Sequence, residues 1–175
     1  KNQPKSLAAR LSHLFVTTVE KEKDTEKQNI EYHYDVPSEF YQLFLGQTMG
    51  YTCGYYAHKD ATMSDAQNEK MEIICRKLRL KKGEHLLDIG CGWGNFAVYA
   101  AKQYQVRVVG ITLSAEQKKY ADQWIKREGL GDQVHIEILN YRDLGREKFD
   151  KIACVGMSEH VGRVNMKRFY TAVFN

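Results

Sequence analysis

The stretch Leu86-Leu87-Asp88-Ile89-Gly90-Cys91-Gly92-Trp93-Gly94-Asn95-Phe96 decides the fold. An apolar run ends in an acid, three alternating glycines follow, and an apolar segment with helical spacing takes over. Only residues without a Cβ let the backbone bend this sharply against a bound ligand. The flanks provide the strand–turn–helix context that a glycine pattern needs before it carries meaning. With Asn95 at the sixth position the spacing is G-x-G-x-G, which departs from the G-x-G-x-x-G dinucleotide fingerprint. A tight βα turn with no ligand is the plain alternative, although α/β proteins favour ligands at this location.

Outward from the turn, strands alternate with helices. Strands are predicted over 85–89, 106–111, 134–139 and 150–155. Helices are predicted at about 94–103, after the cap Ser114-Ala115-Glu116-Gln117, and from about Asn165. This alternation predicts an α/β protein with a doubly wound, mostly parallel sheet. The G-x-G-x-G spacing is the one that S-adenosylmethionine (SAM) sites use, where no pyrophosphate has to be cradled. The expected fold is therefore the Rossmann-like class I SAM-dependent methyltransferase fold. Such a domain normally has more strands than are visible here. In the expected order 3-2-1-4 the fourth strand, Ile152-Ala153-Cys154-Val155, would be an unprotected edge. Truncation after that strand, with the remainder of the fold supplied by further polypeptide, is the expectation.

Before the nucleotide fold, residues 6–19 place Leu7, Leu11, Leu14 and Phe15 on one helical face, and residues 20–28 are almost wholly polar. Pro37-Ser38 should start a short helix carrying Phe40, Phe44 and Leu45. Residues 51–56 read as a loop. A further helix is expected from Ser64, capped by an S-x-x-Q box with Gln67, to about Leu78. The resulting division is an N-terminal helix and linker (1–29), a helical cap and substrate-lining segment (30–80), and an incomplete SAM-binding domain (81–175).

Composition bounds the rest. The 175 residues are 43% hydrophobic and 27% charged, ordinary for a soluble globular domain. Nothing approaches a membrane span, and no signal peptide is visible. Cys53, Cys75, Cys91 and Cys154 are far apart, which argues for reduced thiols in the cytoplasm and against a disulfide framework or zinc site. The six histidines are scattered, so no metal is expected. A net charge of +4 is too mild for a nucleic-acid binder. It would suit peripheral contact with an anionic lipid surface, although charge alone is better explained by a solvated surface.

Further motifs carry a family resemblance. His33-Tyr34-Asp35, Tyr51-Thr52-Cys53, the Asp88–Gly94 turn, Gly110-Ile111-Thr112-Leu113-Ser114-x-x-Gln117 and Met157-Ser158-Glu159-His160-Val161-Gly162 follow one another in order. From about His33 to Phe174 the chain resembles the N-terminal half to two-thirds of the cyclopropane-fatty-acyl-phospholipid synthases and mycolic acid cyclopropane synthases. The resemblance implies a SAM-dependent C-methyltransferase that adds a methylene across cis double bonds of membrane phospholipid acyl chains. Contact with the inner face of the membrane would follow. A homodimer is compatible with the chain, and the sequence leaves the oligomeric state open.

The second strand offers an independent check. Dehydrogenases end it with an acid that holds the ribose, whereas here it ends Gly110-Ile111-Thr112. Another polar group must take the ribose. Gln117 is well placed for this, although Ser114 and Gln117 could serve only as a helix cap. After the third strand, Asn140-Tyr141-Arg142-Asp143 falls where such folds contact adenine. The mycolic branch has an aromatic–acid pair at the middle two positions; here Tyr141 keeps the aromatic and Arg142 replaces the acid, and a bland surface loop remains the alternative. Tyr51, Thr52, Asp88, Gly90, Cys91, Gly92, Gly94, Thr112, Leu113, Gln117 and Tyr141 are thereby assigned to the cofactor.

Methylating an alkene generates a carbocation, so water must be excluded and aromatic faces can neighbour the cation. Tyr34, Tyr51, Tyr55, Tyr56 and Phe40 could roof the site and line an acyl channel, or could be simple core. Ring closure removes a proton from the new methyl group. The resemblance implies a bound bicarbonate as base, held by a Cys, a Glu, a His and a Tyr. Cys53 and Glu159 match the first two, and the others would lie beyond Asn175. Cys53, Glu159 and Tyr34 are the implied catalytic residues. For Cys53 a buried apolar role is the alternative. Two other functions stay open: a small-molecule N-methyltransferase of the alkaloid type, and a non-catalytic SAM-binding module.

Overall fold

The computed structural model describes residues 36–145 and 147–174. The expected helix over 6–19, the polar linker and Tyr34 lie outside these residues. The described chain folds as α1 (Ser38–Leu45), α2 (Met63–Leu78), β1 (His85–Ile89), α3 (Asn95–Tyr104), β2 (Arg107–Thr112), α4 (Ala115–Arg127), β3 (Val134–Ile138), β4 (Lys151–Ala153), α5 (Ser158–Val161) and α6 (Met166–Phe174). Single 3-10 turns follow α1, β3 and α5.

The four strands form one parallel sheet, as the alternation predicts, in the order β3-β2-β1-β4 expected for a SAM-binding fold. β1 runs centrally, with Leu87 opposite Val109 on one side and Ile152 on the other. Side chains alternate between faces along each strand. Leu86, Val108, Val134 and Ile136 join a core with α2, α3 and α4. Leu87, Ile89 and Ile111 face the opposite way, against Tyr141, Val161 and Phe169. β4 is shorter than predicted: past Ala153 the chain leaves the ladder, and Cys154 and Val155 belong to the loop.

One local expectation needs correction. The cap of α2 is Thr62, not Ser64. Thr62 Oγ1 accepts from the Asp65 amide at 3.1 Å, and the Asp65 carboxylate accepts from the Thr62 amide at 3.0 Å, completing a capping box. Gln67 is freed for another task described below. In α1 the buried residues are Tyr41 and Leu45, whereas Phe40 and Phe44 are exposed. Tyr41 sits in a small core with Leu45, Met49 and Trp93, which ties α1 to the glycine turn.

A candidate SAM-binding site

At the carboxyl end of β1 the chain turns on Gly90, Gly92 and Gly94, at φ of +76°, +55° and +85°. The amides of Gly90 and Cys91 both donate to the Ile111 carbonyl, at 2.9 and 3.0 Å, so the end of β2 anchors the turn. The glycines are needed for different reasons. A Cβ on Gly90 would stand 2.6 Å from Met157 Cβ, and one on Gly94 would stand 2.9 Å from Ala121 Cβ. At Gly92 a Cβ would meet nothing within 4 Å. Gly90 and Gly94 therefore admit packing neighbours, while Gly92 borders open space.

That space is a cavity of about 230 Å³ at the carboxyl ends of the strands, where ligands bind in open α/β sheets. Of the cofactor residues expected from the sequence, Tyr51, Thr52, Asp88, Gly90, Cys91, Gly92, Thr112, Leu113, Gln117 and Tyr141 line it. Gly94 does not; it caps α3 and lies against α4. Cys91 contributes little with its thiol, which packs over Gly110 in the core. Burial and the neighbouring Asp88 push that thiol well above its usual pKa.

Three buried polar atoms on the cavity walls lack a hydrogen-bond partner among the described residues: Asp88 Oδ2, Trp93 Nε1 and the Tyr141 hydroxyl. Such atoms are costly unless something meets them. Burial also raises the Asp88 carboxyl to about 7, because desolvation disfavours its charged form. Thr112 is buried and donates from its hydroxyl to Gln117 Oε1 at 2.6 Å. Ser114 Oγ accepts from the Gln117 amide at 3.2 Å, so Ser114 caps α4 while the Gln117 side chain turns toward Thr112 and the cavity. Asn140 Oδ1 accepts from the Arg142 amide at 3.0 Å and fixes the turn that carries Tyr141. The Tyr141 ring packs edge-on against Phe169 at 5.1 Å, with the Arg142 guanidinium 5.2 Å from its centroid.

The expected catalytic pair is less enclosed. Cys53 is exposed among the described residues, and its neighbour Thr52 lines the cavity. Glu159 is exposed in α5 and accepts from Ser158 Oγ at 3.2 Å, while its neighbour His160 lines the cavity. Neither Cys53 nor Glu159 itself is among the lining residues. Tyr34 lies outside the described residues.

Sequence reasoning did not single out Lys70, Trp93 and His160 as lining residues. Lys70 donates to Thr52 Oγ1 at 2.6 Å and to Gln67 Oε1, and Gln67 Nε2 donates to the Thr52 carbonyl at 2.7 Å. Gly50 lets the loop approach this helix, since a Cβ there would stand 2.3 Å from Gln67 Oε1. Trp93 could have been found, because it sits inside the glycine turn. Lys70 gives no such signal: a lysine on an amphipathic helix reads as a solvated side chain.

Among the described residues no three His, Cys, Asp or Glu side chains come together as a metal site would need. No described helix is long and apolar enough to cross a membrane.

The sheet order and the glycine turn place the chain in the SAM-dependent methyltransferase fold, which solved structures share. Over 83% of its length it superposes on a mycolic acid cyclopropane synthase solved with S-adenosylhomocysteine (SAH) and CTAB, at a TM-score of 0.79 and 33% identity, covering 51% of that chain. Residues 21–175 match the mycolic acid cyclopropane synthetase family, and the chain belongs to that family. It is 49% identical over 154 residues to the "Probable fatty acid methyltransferase" of Pseudomonas putida, covering 87% of this chain and 39% of that protein. To the cyclopropane-fatty-acyl-phospholipid synthase of Escherichia coli K12 it is 45% identical over 141 residues, covering 81% of this chain and 35% of that one. The chain thus spans little more than a third of the length of these curated relatives.

Proposed function

We propose that this chain is the SAM-binding part of a C-methyltransferase that adds a methylene across cis double bonds of phospholipid acyl chains. The cavity over the glycine turn carries the reading, because its unpartnered Asp88, Trp93 and Tyr141 atoms ask for a polar ligand. SAM, when bound, supplies a methyl group on a sulfonium. Tyr141 would meet the adenine. Gln117, whose amide oxygen is taken by Thr112, would offer its NH₂ to a ribose oxygen. Gly90, Cys91 and Gly92 leave the backbone bare beside the ligand, with Asp88 beneath.

The residues around this cavity suit cation chemistry. Met49, Met71, Ile74, Phe96 and Ile111 limit water on the walls. Tyr41 and Tyr51 pack edge to face at 5.7 Å, and Phe44 lies 6.1 Å from Tyr51. This aromatic row continues to the exposed Phe40, which packs on Tyr41 and Phe44, and we read it, with the exposed Tyr55 and Tyr56, as the path for an acyl chain entering from a membrane surface. Cys53 and Glu159, each next to a cavity-lining residue, would help hold a bicarbonate base at the cavity's edge.

The experiment is incubation of the full-length protein with methyl-labelled SAM and vesicles of cis-unsaturated phospholipid. Label in the acyl chains as cyclopropane is expected. SAM binding without label in the lipid would refute the reading, and a branched methyl product would keep the transfer but remove the ring-closing base.

A further inference from the structure

Lys70 reaches the cavity from α2 as a half-buried cation, and no carboxylate among the described residues pairs with it. Burial pushes its ammonium pKa down, against a smaller opposing effect of Cys53. A half-buried charge without a counter-ion is unfavourable unless a ligand brings one.

The carboxyl edge of the sheet gives the geometry. Tyr141 follows β3, Thr112 ends β2 and the glycine turn follows β1. Gly156 follows β4 and lies against Thr52, since a Cβ on Gly156 would stand 2.4 Å from Thr52 Cγ2. Lys70 holds that same Thr52. Along the edge the cavity therefore offers an aromatic ring, a hydroxyl–amide pair, bare backbone and finally an ammonium. SAM reads, end to end, as adenine, ribose, sulfonium and an amino acid.

Resting on the cofactor reading above, we infer that Lys70, steadied by Thr52 and Gln67, binds the α-carboxylate of the cofactor's amino-acid tail. An ammonium has three donors. Two go to Thr52 Oγ1 and Gln67 Oε1. The third contact, to the Thr52 carbonyl, is long at 3.4 Å, and that carbonyl already accepts from Gln67 Nε2 at 2.7 Å. This weak third bond is the one a carboxylate oxygen replaces. Thr52 and Gln67 thus aim the ammonium without neutralising it.

Calorimetry on the full-length protein with SAH and with methylthioadenosine tests this, because the second ligand keeps the nucleoside and thioether but lacks the amino acid. Lys70→Met should weaken SAH binding by about tenfold or more, the usual loss for a charge-assisted hydrogen bond. Methylthioadenosine binding should be unchanged, which also shows that the variant is folded. Lys70→Arg should retain most SAH affinity. If K70M does not fold, Lys70→Gln takes its place in the same comparison. Unchanged SAH binding, or equal loss of both ligands, would overturn the inference; the latter would leave Lys70 as a pin for the Thr52 loop. Wild-type protein that binds neither ligand would overturn the cofactor reading itself.

Discussion

Gly92 and its two neighbours separate backbone conformation from packing within one turn. All three adopt positive φ, but only Gly92 faces open space. Gly92→Ala should cost about 1–2 kcal/mol, the left-handed strain alone. Gly90→Ala and Gly94→Ala should cost more, because a methyl would also drive into Met157 or Ala121. Urea denaturation of the three variants ranks them. Asp88 makes a second prediction at this scale. Its carboxyl is raised from 3.8 to about 7 by burial, so the native state holds a proton that the unfolded state has released between those values. The Asp88 contribution to stability is therefore fully present below the unfolded value and is lost as pH rises from about 4 to about 7. Asp88→Asn should flatten that part of the stability–pH curve, measured by denaturation without ligand. A slope identical to wild type would show that Asp88 does not carry it.

At the scale of elements, the helix that precedes β1 shows where sequence signals compete. Thr62 and Asp65 form the capping box, although Ser64 and Gln67 have the same spacing of residue types. Thr62→Ala should cost about 1 kcal/mol, the typical value for a lost N-cap, whereas Ser64→Ala, just inside the helix, should change stability by only a few tenths. Thermal or urea unfolding of the pair decides between the two caps. Gln67 was legible as polar but not as a loop anchor, because its partner is the Thr52 carbonyl, distant in sequence. The same holds for Lys70, whose burial depends on the loop that Gly50 brings against α2. In α1 the helix was legible but the burial of Tyr41 was not, because Trp93 provides a partner that helical periodicity cannot reveal. β1 and the start of β3 were legible to the residue because apolar runs there end in glycine or polar turns. β4 was not, because Cys154 and Val155 continue the apolar pattern after pairing has stopped.

For the molecule as a whole, alternation indicated a parallel doubly wound sheet and the expected SAM-binding fold its strand order, which brings residues from four strand ends to one cavity. Ten of the eleven expected cofactor residues meet there because the motif turns, the cap of α4 and the turn after β3 all lie at the carboxyl edge. Cys53 and Glu159 were placed by resemblance to whole enzymes, and the described chain leaves both exposed beside the cavity. The chain spans little more than a third of the length of those curated relatives. A crystal structure of the full-length protein with SAH bound tests the central claim most directly. The account predicts adenine against Tyr141, a ribose oxygen on Gln117, and the thioether passing over Gly90 and Gly92 above Asp88. SAH bound elsewhere, or a cavity filled by the protein's own remaining residues, would contradict it.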